Sequence, residues 1–344
     1  MTIQAGAPLP RRPATIKDVA RELDISVATV SRALSKPHML RPATVTRVRE
    51  AVDRLGYRPN LVAQNLKLGS TGIVYVVIPA LSPFFYDVFR GIERAALELG
   101  YSAIVAHTGR DPLREGEYFD QVACGRADGV LLVSTAQLEI EPPHKHTLPP
   151  TVMVLESHGH KNFPAVRVDH VVAATQATNH LLELGHRRIA HITGNVRAPM
   201  SVKRREGFVA AMAAAGIKNA EENCVPGEFT PEAGQAAMET LLQRPVLPTA
   251  VFCSSDEIAV GAIRAIRAAG LRVPDDISII GYEDQRLSRI YDPQITTVHV
   301  PTFDSGYQAM VKLRRILARE EYEHDVVLPT HVVIRQTTAP PKKA

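Results

Sequence analysis

Cysteine is scarce in this chain of 344 residues, and long hydrophobic runs are missing. Cys124, Cys224 and Cys253 are far apart and form no CxxC pair, which predicts ordinary reduced thiols instead of a disulfide framework or a zinc site. No stretch reaches the roughly 18 uninterrupted apolar residues that a transmembrane helix needs, and the amino terminus lacks the apolar core of a secretory signal. These absences predict a cytoplasmic protein without a membrane partner.

Signatures of catalysis and of metal binding are also missing. The sequence contains no GxGxxG, P-loop, GxSxG or HExxH pattern, so we expect neither an enzyme nor a bound cofactor. Two HxH pairs, His144 with His146 and His158 with His160, lie in stretches flanked by proline or glycine. They lack an accompanying group of cysteines or carboxylates, and we therefore expect no metal ion.

The composition is that of a globular protein whose charge is unevenly distributed. Hydrophobic residues make up 45% of the chain and charged residues 22%, and the length suggests two or three domains at about 150 residues each. Residues 1–70 contain 12 Lys and Arg against 5 Asp and Glu, which leaves 28 against 31 for the rest, so the net charges are +7 and −3. A basic head on a near-neutral body indicates that the head binds a polyanion, although a solvated basic terminus would give the same charge.

The basic head carries the pattern of three short helices. Thr15 to Asp18 has the spacing of a capping box, and apolar residues follow it at helical spacing. Asp24 tolerates the left-handed backbone of a tight turn, and Ser26 can cap a second helix. A third periodic run ends at Gly56. Two helices that are separated by a tight turn and closed by a third predict a helix-turn-helix.

The stretches TIKDVARELDISVATVSRAL and GYRPNLVAQNLKLG resemble the DNA-binding head and hinge of the lac repressor (LacI/GalR) family. This resemblance implies that the second helix enters the major groove of an operator, where Val27, Ala28 and Arg32 contact bases. It also implies that the hinge folds over the minor groove, where Leu66 wedges between base pairs. The residues that it implies for contacts to the DNA backbone are Thr15, Ser26, Thr29, Ser31 and Lys67.

The chemistry of the three base-contacting positions fits these roles. Arg32 can donate two hydrogen bonds to guanine, whereas Val27 and Ala28 offer methyl contacts to thymine. Val27 also lies on the apolar period of its helix, so packing in the core of the head is the alternative for this residue. For Leu66 the alternative is that one hinge helix packs on the other.

From Ile73 onward, β-rich runs alternate with helical runs in two similar series, and pairs of glycines nine residues apart recur in both. We expect a small all-α helix-turn-helix head and an α/β body of two doubly wound parallel-sheet lobes, like a periplasmic binding protein. A ligand cleft should lie between the lobes. The resemblance to the lac repressor family extends over the body through HLLELGHRRIAHITG and GLRVPDDISIIGYED, and it covers residues 14 to about 337.

Polar and aromatic residues near the ends of predicted strands are candidates for binding a small-molecule effector. By resemblance, Arg204 matches the family arginine that reaches ligand hydroxyls or carboxylates, and Glu283 stands where family members commonly have aspartate. For Asp256 the alternative is capping of the next helix, and for the two phenylalanines it is core packing. The full set is Phe84, Phe85, Ser134, Arg204, Ser255, Asp256 and Glu283.

These patterns divide the chain into an arm, a head, a hinge, a body and a tail. The predicted arm is a disordered basic segment over 1–13, the helix-turn-helix domain spans 14–58, the hinge spans 59–70 and the tail spans 338–344. The effector-binding and dimerisation domain spans 71–337, with one lobe over about 71–170 and 302–325 and the other over about 171–300 and 326–337.

The sequence therefore predicts a homodimeric repressor of carbohydrate uptake or catabolism genes. It should leave a palindromic double-stranded DNA operator when a small sugar or a derivative binds. A dimer is expected because the tail is too short and too broken by proline for a coiled coil. A purine-type corepressor system stays open as an alternative, and a cytoplasmic sugar-binding protein or an α/β enzyme is disfavoured by the basic head and the missing catalytic patterns.

Overall fold

The computed structural model describes residues 14–58, 69–133, 148–156, 163–196 and 198–342, apart from the side chain of Pro112. The chain divides into two compact units, Met1–Thr71 and Gly72–Ala344. No helix in the described part of the chain is long and apolar enough to cross a membrane.

The first unit contains the three predicted helices, α1 (Ile16–Leu23), α2 (Val27–Ser35) and α3 (Pro42–Leu55). At the start of α1, the Asp18 carboxylate accepts hydrogen bonds from the Thr15 backbone N–H at 2.9 Å and from the Thr15 hydroxyl at 2.7 Å. Asp24 ends this helix in the left-handed conformation with φ of 53°, and Ser26 caps α2 by accepting from the Thr29 N–H. The helix-turn-helix prediction is confirmed. Its core contains Val19, Ala20, Val30, Ala33, Val48, Ala51 and Tyr57.

The first lobe of the second unit is built on a six-stranded parallel sheet. Its strands are β1 (Ile73–Ile78), β2 (Ser102–His107), β3 (Gly129–Val133), β4 (Thr151–Leu155), β5 (Ala165–Val168) and, from late in the chain, β11 (Asp325–Leu328), in the order β11-β5-β4-β3-β1-β2. Every residue of β3 and β4 is buried, as expected for central strands with both faces covered. The helices between these strands are α4 (Phe84–Glu98) and α5 (Pro112–Ala123).

The second lobe is built on a four-stranded parallel sheet in the order β7-β6-β8-β9. Its strands are β6 (Ile189–Ile192), β7 (Cys224–Val225), β8 (Ala250–Cys253) and β9 (Ser278–Ile280). Its helices are α6 (His170–Glu183), α7 (Pro199–Ala214), α8 (Pro231–Leu242), α9 (Asp256–Ala268) and the short α10 (Arg286–Ile290). The predicted pair of parallel-sheet lobes is thus confirmed.

The chain crosses between the lobes three times. The first crossing leads from β5 to α6. The second leads from β10 (Thr297–His299) to α11 (Thr302–Leu317), a helix that packs against α4 and β4 of the first lobe. The third returns from β11 to β12 (His331–Val333), which pairs antiparallel with β10. Because β11 pairs with β5 from Asp325↔Ala165 to Leu328↔Val168, residues 326–328 belong to the first lobe, and their predicted place in the second lobe was wrong.

The two glycines of each recurring pair have different physical causes, and these causes are the same in all three helices. The first glycine lies where another helix passes so closely that a Cβ atom would come within 2.3 Å of a carbonyl oxygen. The second follows the helix with φ between 76° and 79°, a conformation that favours glycine. The pairs are Gly91 with Gly100, Gly207 with Gly216, and Gly261 with Gly270.

Candidate functional site

Helix α2 presents a sharply divided surface. Val30 and Ala33 are buried in the core of the head, whereas Ala28 and Arg32 are exposed. Val27 is 40% exposed, so it is not a core residue and the packing alternative for it fails. The side chains of Val27, Ala28 and Arg32 are therefore free to meet base edges.

The Arg32 side chain makes no hydrogen bond or ion pair with any residue that the structure describes. An unpaired guanidinium on an exposed helix face retains all of its donors for a ligand. Exposure thus leaves Arg32 able to form the two hydrogen bonds that guanine accepts in the major groove.

The predicted backbone-contacting residues that the structure describes lie on both helices of the motif, since Thr15 precedes α1, Ser26 precedes α2, and Thr29 and Ser31 lie within α2. The hydroxyls of Ser26 and Thr29 are 2.8 Å apart, and Thr15 and Ser31 are half-buried. The hydroxyl groups of such serine and threonine side chains can donate hydrogen bonds to phosphate oxygens. Lys67 and Leu66, which is predicted to wedge between base pairs, lie outside the described residues.

In the second unit, a cavity of about 540 Å³ lies between the two lobes at the carboxyl ends of their strands. Four predicted residues line it: Phe84, Phe85, Ser255 and Glu283. The rings of Phe84 and Phe85 meet edge to face with their centroids 5.2 Å apart. The remaining lining residues are Pro79, Ala80, Ser82, Arg110, Asn195, Ala198, Pro199, Met200, Phe229, Thr230, Glu257 and Gln285.

Arg204 lies behind this lining and is only 1% exposed. Its guanidinium carbon is 3.9 Å from the centroid of the Tyr282 ring, and its Nη1 donates to the Ser254 carbonyl oxygen at 2.5 Å. The same Nη1 is 3.6 Å from Oε1 of Glu283, which does line the cavity. The predicted arginine therefore supports the site from behind, with its Nε still without a hydrogen-bond partner among the described residues.

Glu283 is the buried acid of the cavity. Burial raises its pKa to about 7, although the nearby Arg204 guanidinium favours the charged form and lowers it. Its Oε2 accepts a hydrogen bond from the Gln285 side-chain amide at 2.5 Å. Near neutral pH this carboxyl can therefore donate or accept a hydrogen bond, depending on its protonation.

Asp256 does not line the cavity. It is fully buried, and its two carboxylate oxygens accept hydrogen bonds from the Thr297 hydroxyl at 2.6 Å and from the Gln285 backbone N–H at 2.7 Å. The capping alternative also fails, because Ser255 is the residue that accepts from the Ile258 N–H at the start of α9. Asp256 instead fixes the loop that carries Glu283 and Gln285.

Several cavity residues were not predicted. Arg110 and Asn195 each lie three residues beyond a strand, so the rule that strand ends carry ligand-binding groups would have found both if applied to every strand. Phe229 follows the two-residue strand β7, which is too short to give a pattern. Gln285 follows two residues that adopt positive φ, a backbone conformation that the sequence pattern does not reveal. The predicted Ser134 lies outside the described residues.

No group of three or more histidine, cysteine or carboxylate side chains in the described ranges could hold a metal ion. The two HxH pairs, at 144–146 and 158–160, lie outside those ranges.

Comparison with known proteins covers both units. Residues 15–60 match the family described as "Bacterial regulatory proteins, lacI family", and residues 178–338 match the periplasmic binding protein-like domain. The HTH-type transcriptional repressor CytR of Escherichia coli (strain K12) is 37% identical over 302 residues, which cover 87% of this chain and 89% of that protein.

Two solved structures are similar over nearly the whole chain. The transcriptional regulator CelR in complex with cellobiose is 32% identical, with a TM-score of 0.71 over 94% of this chain and 99% of that chain. The lac repressor dimer bound to operator and the anti-inducer ONPF is 25% identical, with a TM-score of 0.85 over 95% of this chain and 100% of that chain.

Proposed function

This chain belongs to the LacI family of bacterial regulatory proteins, and on that premise we propose that it represses carbohydrate genes until a small sugar releases it from DNA. Its homologues are transcriptional repressors, and it is a DNA-binding regulator with an effector-binding domain.

On the DNA side, Arg32 reads a guanine, and Val27 and Ala28 contact neighbouring bases in the major groove. The support is their joint exposure on the face of α2 opposite its buried residues. Thr15, Ser26, Thr29, Ser31 and Lys67 contact the DNA backbone, and Leu66 wedges into the minor groove. A palindromic operator then requires two copies of the head, which a homodimer supplies, as in the operator-bound lac repressor dimer.

The observation that carries the sugar proposal is the combination of groups in the cavity. Carboxyl, amide and hydroxyl groups of Glu283, Gln285, Asn195 and Ser255 can exchange hydrogen bonds with the many hydroxyls of a sugar. Phenylalanine rings, such as that of Phe85, offer apolar faces to the C–H side of a pyranose or furanose. The volume of about 540 Å³ lies in the range of small-molecule sites. A similar regulator is known in complex with cellobiose.

The test is a thermal-shift panel of the purified full-length chain against pentoses, hexoses, cellobiose, sugar phosphates and purine bases. Only a ligand that prefers the native state raises the melting temperature. We expect a sugar to raise the melting temperature, and Glu283→Gln should reduce that rise. Glu117→Gln, which alters an exposed carboxylate of α5, should not reduce it. Hits confined to purine bases would overturn the sugar proposal and assign a corepressor system.

The sugar should also lower the affinity of the protein for its operator. An operator selected from a random duplex library should be released when the sugar is added, measured by fluorescence anisotropy. Stronger DNA binding in the presence of the sugar would contradict release and indicate corepression. The compound should be recovered chemically unchanged, since we propose binding without turnover; conversion of the sugar by the protein would revive the enzyme alternative.

A further inference from the structure

Three consecutive residues after β9, Tyr282, Glu283 and Asp284, lie beside both the cavity and the crossings between the lobes. Glu283 and Asp284 have φ values of 103° and 55°, which residues other than glycine rarely adopt. Such a backbone persists only when its surroundings hold it in place. The contacts of the three residues show what those surroundings are.

The segment contacts all three crossings. The Tyr282 hydroxyl is 2.9 Å from Nδ1 of His170, the first residue of α6, on the first crossing. The Glu283 backbone N–H donates to the Val298 carbonyl oxygen at 2.8 Å, on the second crossing. Asp284 bonds to His299 on the second crossing and to Arg335, just beyond β12, on the third.

Asp284 is the charged centre of these contacts. Its side chain is 4% exposed and lies 3.0 Å from Nδ1 of His299, 2.8 Å from Nη2 of Arg289 and 2.5 Å from Nη2 of Arg335. Ser288 donates a further hydrogen bond at 3.2 Å. Burial by itself opposes ionisation, but the hydrogen bonds from His299, Arg289 and Arg335 hold the pKa of this carboxyl well below its usual range. Asp284 is therefore a carboxylate at neutral pH.

The two neighbours of Asp284 in the sequence, Glu283 and Gln285, both line the cavity. A ligand that hydrogen-bonds to Glu283 or Gln285 can therefore displace the backbone of Asp284, which is covalently joined to both. Asp284 in turn bonds to residues of the second and third crossings, so a displacement of this residue acts on the segments that join the lobes.

We propose that Asp284 is a positioning residue that sets the angle between the two lobes and transmits occupancy of the cavity to it. The claim that cavity occupancy changes the lobe angle rests on the proposed function. The claim that Asp284 restrains the lobes does not, because it concerns the chain without a ligand, so an experiment can refute either claim alone.

The experiment measures the distance between the lobes in the full-length chain, without any sugar, by pulsed electron resonance. Spin labels are placed on the exposed Cys124 of the first lobe and on an Ala213→Cys substitution on the exposed surface of α7 in the second. Cys224→Ala removes the half-buried thiol, and Cys253 is buried, so neither position should take up a label. Excess unlabelled chain lowers the number of label pairs that form between two copies of the protein. Asp284→Asn is compared with the same background and with Asp276→Asn, which removes an aspartate whose partners are Lys342 and Arg272.

In Asp284→Asn the distance distribution should broaden or shift by about 2 Å or more, while Asp276→Asn matches the background. If Asp284→Asn does not fold, Arg335→Gln decides, because it removes the guanidinium through which Asp284 bonds to the third crossing. An unchanged distribution in the folded variant, even with a lower melting temperature, would overturn the proposal, since Asp284 would then stabilise the fold without setting the lobes.

Discussion

Replacing Arg32 tests whether helix α2 reads bases in the way its exposed face indicates. Arg32→Ala should cost about 1–3 kcal/mol of binding for each half-site of the operator, a loss of roughly 5- to 150-fold per half-site, because a bidentate contact to guanine is worth that much discrimination. The melting temperature should not change, since the Arg32 side chain has no partner among the described residues of the chain. The assay is anisotropy of a labelled duplex, carried out on the selected operator and on each single-base variant of it.

Two controls separate base reading from charge. Arg32→Lys retains the charge but loses the rigid planar pair of N–H donors, so it should still relax the preference at one base pair per half-site, though less than alanine does. Arg49→Ala removes an equal charge from the exposed surface of α3 and should leave every base preference intact. If Arg32→Ala bound more weakly but kept the full consensus, Arg32 would be a phosphate contact and the assignment would be refuted.

Three further predictions concern the body. Burial raises the pKa of Glu115 to about 8 from 4.5, so its proton binds more tightly in the folded state and the free energy of unfolding should fall as pH rises from about 4.5 to 8. Urea unfolding should show that Glu115→Gln gains up to about 5 kcal/mol over the wild type across that range. Gly261→Ala should cost about 1–3 kcal/mol or more, because its Cβ would lie 1.8 Å from the Pro231 carbonyl oxygen, whereas Gly116→Ala, with open space around it, should stabilise by about 0.4–1 kcal/mol in the same assay. Affinity for the sugar should rise as pH passes through 7, because Glu283 ionises there and accepts hydrogen bonds, and calorimetric titration should find this dependence gone in Glu283→Gln.

Local patterns predicted most elements of the fold because each is decided by neighbours in sequence. The capping residues Thr15 and Ser26 and the stop at Gly56 act within one turn of their helices, and the run IVYVVI is a strand with the predicted bounds. The errors lie where the partner is distant. Residues 325–328 form a strand by pairing with residues 165–168, and nothing in the local pattern of either stretch identifies that partner.

The site was harder to predict than the fold because a strand end places a side chain near a cleft without saying which way it points. Ser255 and Asp256 are adjacent, yet Ser255 lines the cavity and Asp256 turns inward to Thr297 and the Gln285 backbone. Arg204 matches the family arginine that reaches the ligand, but in this structure it lies behind the cavity lining, against the Tyr282 ring. For these residues the outcome depends on partners that are distant in sequence, such as Thr297 for Asp256 and Tyr282 for Arg204, which sequence periodicity does not report.

The position of this loop constrains how regulation can work. If Glu283 and Gln285 contact the effector while Asp284 holds the crossing strands, then effector affinity and lobe angle share one set of contacts and cannot vary independently. Coupling between two binding sites is reciprocal, so an effector that weakens operator binding by a given factor must itself bind more weakly, by the same factor, to the operator-bound protein. The contribution of Asp284 is then the part of that factor that disappears from both measurements together in Asp284→Asn. If both measurements in Asp284→Asn kept the full factor, the lobes and the cavity would be coupled by another route.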